Sequence, residues 1–164
     1  MKLGIDVGRV LISPGDESAP DTSFIGGSFE DALRTPPYTG MFDRLPGIVQ
    51  RFGGRVWIVS KCRKRVQERT LVWFDNHRFF ERTGINPAHV RFCIERPQKA
   101  AICAELGITH FVDDRMDVLE PMRGIVTERF LFGPQRHALP DNAGVRSLAN
   151  WAEAAAVLGE TGSE

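Results

Sequence analysis

A chain of 164 residues has room for one domain and no second large one. With 42% apolar and 26% charged residues it has an ordinary globular composition, which excludes a disordered, collagen-like or disulfide-scaffold chain. Lys plus Arg and Asp plus Glu number 21 each, so no whole-molecule field draws in nucleic acid or an anionic membrane, and only a local basic patch could.

Lys2 to Ile12, with the run LGIDVGRVLI, is apolar nearly throughout and reads as a strand buried on both faces. Residues 13–41 break that pattern with Pro14, Gly15, Pro20, Gly26, Gly27, Pro36, Pro37 and Gly40. A stretch this long inside a compact domain is usually functional, and Phe24, Phe29, Tyr38 and the neighbouring Phe42 predict an ordered flap. A helix over Asp43–Phe52 stops at Gly53-Gly54, and Arg55–Ser60 is the second strand. The spacing of Val66, Leu71, Phe74 and Phe79 predicts an amphipathic helix from Arg63 to about Arg82, ending before Gly84. His89–Ile94 is the third strand. Pro97 opens the next helix, which runs to Gly107. Thr109–Asp113 is the fourth strand, followed by a short helix at Met116–Met122, a fifth strand at Ile125–Phe132 and a closing helix at Ser147–Leu158. This alternation gives an α/β fold with a Rossmann-like parallel sheet flanked by helices. Such sheets bind ligands beyond the carboxyl ends of their strands.

Cys62, Cys93 and Cys103 have no C-x-x-C spacing, which argues against structural zinc or a disulfide framework and for a reducing, cytoplasmic setting. The N-terminus has an Asp inside its short apolar run and no small-residue cleavage site after it, unlike a signal peptide. No stretch approaches the ~18 apolar residues of a membrane helix, so no membrane association is expected.

Four polar features fall at strand ends. Asp6 lies within the apolar first strand, where a charge costs several kcal/mol unless paired or metal-bound. It is either a buried, hydrogen-bonded aspartate capping a turn or a carboxylate that is paired or metal-bound, and Gly8, two residues on, would let a ligand approach the backbone. Ser60, followed by Lys61, is either a helix N-cap or a phosphate-binding hydroxyl. Lys99 sits in the first turn of a helix, where a cation opposes the dipole unless an anion is near. Asp113-Asp114, with Asp117 beyond, is either a capping pair or a site for a hard divalent cation.

In this order the stretches LGIDVGRVLI, VWIVSK, RPQK and THFVDDRMD resemble the haloacid dehalogenase-like (HAD) superfamily of aspartyl-phosphate hydrolases over roughly residues 2–132. The resemblance implies one HAD-like domain over residues 1–164, with 13–41 as a flap or small cap after the first strand. It implies a Mg²⁺-dependent phosphatase acting on a phosphate monoester. Asp6 matches the nucleophile, Ser60 the hydroxyl that bonds a phosphoryl oxygen, and Lys99 the lysine that neutralises charge. Asp6, the Gly8 carbonyl and Asp114 match the metal ligands, with Asp113 and Asp117 in support. Arg9 and Lys61 join Ser60 and Lys99 as expected substrate-binding positions.

One departure is chemical. The family's D-x-D has its acid–base Asp where this chain has Gly8, and its following glycine where this chain has Arg9. A D-x-G variant occurs in phosphatase-like members, but the missing group is worth ~10²–10⁴ in rate. Good leaving groups should therefore be hydrolysed faster than alkyl esters. A second reading is a catalytically weak phosphate-binding or regulatory module. A response-regulator receiver is excluded by motif order, because its acidic pair precedes its acceptor Asp.

A flap of this size is too short for a full helical cap. The expected open site suits a small phosphate ester (a nucleotide among the candidates), a phosphorylated macromolecule, or coverage by a second copy in a homo-oligomer. Nucleic acid is not an expected partner. Lys61, Arg63, Lys64, Arg65 and Arg69 form a basic cluster read as either a solvated helix face or a phosphate-recruiting rim. Trp73, Phe74, Phe79 and Phe80 read as core, and His77, His89, His110 and His137 lack metal-ligand spacing.

Overall fold

Six parallel strands form the sheet in a computed structural model, which describes residues 1–13, 27–140 and 142–159. The strands are β1 (Leu3–Ile5), β2 (Val56–Lys61), β3 (Val90–Cys93), β4 (His110–Asp113), β5 (Glu128–Phe132) and β6 (Arg146–Leu148), and their spatial order is β3-β2-β1-β4-β5-β6. The chain thus winds outward one way from β1 to β3 and then the other way from β4. The switch point, where a crevice opens at the carboxyl ends, lies between β1 and β4. The fold is α/β and Rossmann-like. Among the described residues, no helix is long and apolar enough to cross a membrane.

Helices cover both faces. α1 (Phe29–Arg34), α2 (Met41–Arg51), α3 (Lys64–Asn76), α4 (Phe79–Thr83) and α7 (Trp151–Leu158) lie on the side of the larger core, where Leu3, Ile5, Ile58, Val112 and Phe130 meet Trp73, Phe74 and Trp151. α5 (Pro97–Leu106) and α6 (Met116–Leu119) cover the other face over Val59, Phe111 and Leu131. Burying each large side chain contributes roughly 2–3 kcal/mol, which fixes the strand ends in place. Gly4 is required by this packing, because a Cβ there would come within 2.5 Å of the Phe111 ring.

Several boundaries differ from the sequence reading. The first strand ends at Ile5, because Arg9, Val10, Leu11 and Ile12 fold into a turn in which the last three amides all donate to the Val7 carbonyl. The chain then returns, pairing Ser13 N with Pro36 O and Tyr38 N with Leu11 O at 2.9 Å each. The predicted helix ending at Arg82 breaks in two at His77 and Arg78, where Arg78 adopts a left-handed φ of 52°. The fifth strand begins at Glu128 and not Ile125. Ser147 and Leu148 belong to β6, a sixth strand, and the closing helix starts at Trp151 behind its Asn150 cap.

Of the predicted flap, residues 14–26, with Phe24, lie outside the described residues. Its later part carries α1, closed by a capping box in which Asp31 N donates to Ser28 Oγ at 3.1 Å. α1 lies against α3, and Trp73 Nε1 donates to Thr35 O at 2.8 Å. Tyr38 packs edge-on against Phe132, and Phe42 stacks over Trp73.

Candidate active site

Asp6 stands one residue past β1, its amide still bonded to Val112 O at 3.0 Å. That bond, with the register Ile5 opposite Val112, sets Asp6 beside Asp113 across the switch point. Side-chain alternation turns both toward the face covered by α5. From there Lys99, third residue of α5, donates to Asp6 Oδ1 and to Asp113 Oδ2, both at 2.8 Å. The Lys99 side chain is 3% exposed, Asp6 11% and Asp113 0%, so this is a buried charge cluster and no solvated lysine. Asp113 Oδ1 also accepts the Arg115 amide at 3.0 Å.

The bland alternatives for two residues fall away. α3 is preceded by Arg63 and α6 by Arg115, neither helix has a side-chain cap, and so Ser60 and Asp114 cap nothing there. Ser60 is buried at the end of β2 and lines the same pocket as Asp6, Lys99, Asp113 and Asp114. Asp117 turns elsewhere: Arg115 grips it with Nε and Nη2 at 2.8 and 2.7 Å, so it is not part of the carboxylate cluster as expected.

The electrostatics are lopsided. Oxygens of Asp6, Asp113 and Asp114 lie within 4.8 Å of one another, and the one buried lysine bonds only Asp6 and Asp113. Burial pushes the Asp113 carboxyl up to about 7 despite Lys99, with the Asp6 charge adding to the effect. Burial, then the charges of Asp6 and Asp113, pushes Asp114 up to about 9. For Lys99 burial acts to lower the pKa, but Asp113 and Asp6 outweigh it and hold the ammonium well above its ordinary range. A set of hard oxygen donors short of positive charge fits Mg²⁺ or a similar divalent cation. Burial raises the thiol of Cys62, which also lines the pocket, to about 11, so it is no ready nucleophile.

No family model and no curated protein matches this chain. Solved structures do match. The D,D-heptose 1.7-bisphosphate phosphatase from B. bronchiseptica, complexed with magnesium and phosphate, aligns with a TM-score of 0.65 at 16% identity over 96% of this chain and 98% of that one. A haloacid dehalogenase-like family hydrolase from Xanthomonas campestris aligns with a TM-score of 0.61 at 12% identity, covering 95% and 93%. The chain has the haloacid dehalogenase-like fold.

Within that HAD-like fold, Asp6, Gly8, Arg9, Ser60, Lys61, Lys99, Asp113 and Asp114 all line one pocket. Of the basic cluster only Lys61 does so; Arg63, Lys64 and Arg65 are exposed on the start of α3, and Arg69 bonds to Gly27 O. Arg96 and Arg115 also line it and were not singled out in the sequence. For Arg96 the only signal was its place immediately before Pro97, where a helix start faces the strand ends. None of the described residues of the predicted flap is among the lining residues. The three cysteines are free and buried.

Proposed function

We propose that the protein is a Mg²⁺-dependent phosphatase that hydrolyses a phosphate monoester through an aspartyl-phosphate on Asp6. The observation that carries this is the buried bridge from Lys99 to Asp6 and Asp113 at the switch point. The magnesium and phosphate complex of the heptose bisphosphate phosphatase, on the same fold, supports it.

In this reading Lys99 orients the Asp6 carboxylate through Oδ1 so that it can face phosphorus. An Asp6 oxygen–phosphorus bond forms as the ester oxygen–phosphorus bond breaks, and water then releases phosphate from Asp6. Ser60 donates to a phosphoryl oxygen, and Lys99 offsets its charge, while Lys61 and Arg9 line the substrate side of the pocket. Asp6, Asp114 and the Gly8 carbonyl would hold the ion directly. Asp113, whose two oxygens already engage Lys99 and the Arg115 amide, would act chiefly through its charge and by orienting Lys99. Bound there, Mg²⁺ would supply the positive charge that lets a phosphate dianion approach a carboxylate.

Gly8 offers no proton to the departing oxygen. Aryl phosphates should therefore turn over much faster than alkyl phosphates, by about 10²-fold or more. Turnover of p-nitrophenyl phosphate with and without Mg²⁺, alongside Asp6→Asn, tests the assignment. Mg²⁺-dependent turnover that falls by about 10³-fold or more in Asp6→Asn supports it. Turnover untouched by that substitution removes Asp6 as nucleophile. The second reading, a phosphate-binding or regulatory module, rests on Gly8 alone and predicts Mg²⁺-dependent phosphate binding with no turnover of any ester. The substrate class is a small phosphate ester or a phosphorylated macromolecule.

A further inference from the structure

Resting on the reading of a phosphoryl site at Asp6, we infer that the preferred substrate carries a second oxyanion, phosphate or carboxylate, on its leaving group, held by Arg9, Lys61 and Arg96. The three cations come from three successive connections. Arg9 follows β1, Lys61 ends β2, and Arg96 stands between β3 and α5. Because β3, β2 and β1 are neighbours in that order, these residues fan out to one side of the switch point. The carboxylates Asp113 and Asp114 come off β4 on the other side. All three cations line the pocket and are half-buried, whereas Lys99 lies beneath them, fully buried against Asp6 and Asp113. Lys99, Ser60 and an ion in the carboxylate cluster already serve the transferred phosphoryl group. An arc of further cations on the β2–β3 side suits a separate anion, and guanidinium forks match planar carboxylate and phosphate edges.

Arg9 adds an independent reason. Its φ of 60° lies in the left-handed region, which glycine adopts freely and a long side chain does not. A strained residue lining a ligand pocket marks a side chain held there for what it touches. Arg115, the remaining pocket cation, follows β4 on the other side of the switch point and is left out of the arc.

The test measures binding apart from turnover. The Asp6→Asn protein in Mg²⁺ is titrated calorimetrically with glycerol 3-phosphate, 3-phosphoglycerate and 2,3-bisphosphoglycerate. The inference expects at least one doubly anionic ligand to bind about 10-fold tighter or more than glycerol 3-phosphate. Adding Arg96→Gln or Arg9→Gly should shrink that margin to less than about threefold. Whichever of the two doubly anionic ligands shows the margin names the oxyanion. Arg9→Gly should also raise the melting temperature, which verifies that this variant is folded. Equal affinity for all three ligands, or a margin that both variants retain, overturns the inference. If the margin appears but wild-type protein turns over no phosphate ester, the subsite stands and the phosphatase reading fails. If esters are hydrolysed through Asp6 without any margin, only the subsite fails.

Discussion

The two ends of the same strands have been built on opposite principles. At the amino ends of β1 and β4 the polar groups are neutral or bonded to backbone. Thr109 Oγ1 accepts the Lys2 amide at 2.9 Å and donates to the Lys2 carbonyl at 3.0 Å, and Lys2 Nζ donates to Leu106 O at 2.8 Å. Nearby, Trp57 stacks on His89 with ring centres 4.1 Å apart, and His89 Nδ1 meets Val56 O. At the carboxyl ends of β1 and β4, three carboxylates cluster, and a single buried lysine bonds two of them, Asp6 and Asp113. The amino end is arranged to be complete as it stands. At the carboxyl end two buried carboxylates, with Asp114 beside them, face one buried lysine, and a buried cluster of this sign is tolerable only if something cationic joins it. The difference marks the carboxyl end as the candidate functional end of the sheet without reference to any relative.

Removing Lys99 should break this contrast most severely. Lys99→Met leaves Asp6 and Asp113 buried without their shared cation, and should destabilise the fold by about 3–5 kcal/mol in denaturant titrations. A cost below about 1 kcal/mol would mean the cluster is not charged as described.

A divalent ion should sharpen the contrast next. Burial, with the Asp6 charge, pushes Asp113 up to about 7 and Asp114 up to about 9, against an ordinary value of 3.8. Between those limits the folded state holds more protons than the unfolded one, so its stability is greatest below about pH 4 as far as these groups are concerned, and declines as pH rises through 7 and 9. Mg²⁺ displaces those protons, so it should stabilise more at about pH 8.5 than at about pH 6, approaching ~2.7 kcal/mol at a hundredfold excess over Kd. Thermal melts with Mg²⁺ and with chelator at the two pH values read this directly. A Mg²⁺ effect that is absent or independent of pH contradicts it.

The smallest effect belongs to the other end. Thr109→Val removes hydrogen bonds to the Lys2 backbone and should cost about 1 kcal/mol. Turnover and the response to Mg²⁺ should not change. A loss of either would show that the amino end is coupled to the site.

Much of this was legible in the sequence because buried parallel strands are apolar runs, and a charge inside or ending one is conspicuous. Asp6 and Asp113-Asp114 stand out for that reason, and Lys99 because a cation in a helix's first turn opposes the dipole. β6 was not legible: Arg146 and Ser147 are exposed at the sheet edge, and only Leu148 is buried, so three residues carry no period. The break at Arg78 was hidden because no glycine or proline marks it, and exposed Leu71 sat among the residues that defined the helix period. The capping box Ser28-x-x-Asp31 was the available sign of α1 within a stretch read as irregular. Arg96 could not be told from any surface arginine until the sheet order put β3 beside β2. Side-chain partnership was hidden as well: Asp117 looked like part of the acidic motif, yet Arg115 takes it out of the cluster.

In the proposed function one divalent ion is shared across the switch point. Crystals grown with Mn²⁺ as an anomalous scatterer test it most directly. One strong anomalous peak bonded to oxygens of both Asp6 and Asp114 is expected, and it should disappear on chelation. Ordered side chains at both residues with no peak between them, or an ion bound to only one of them, would contradict it.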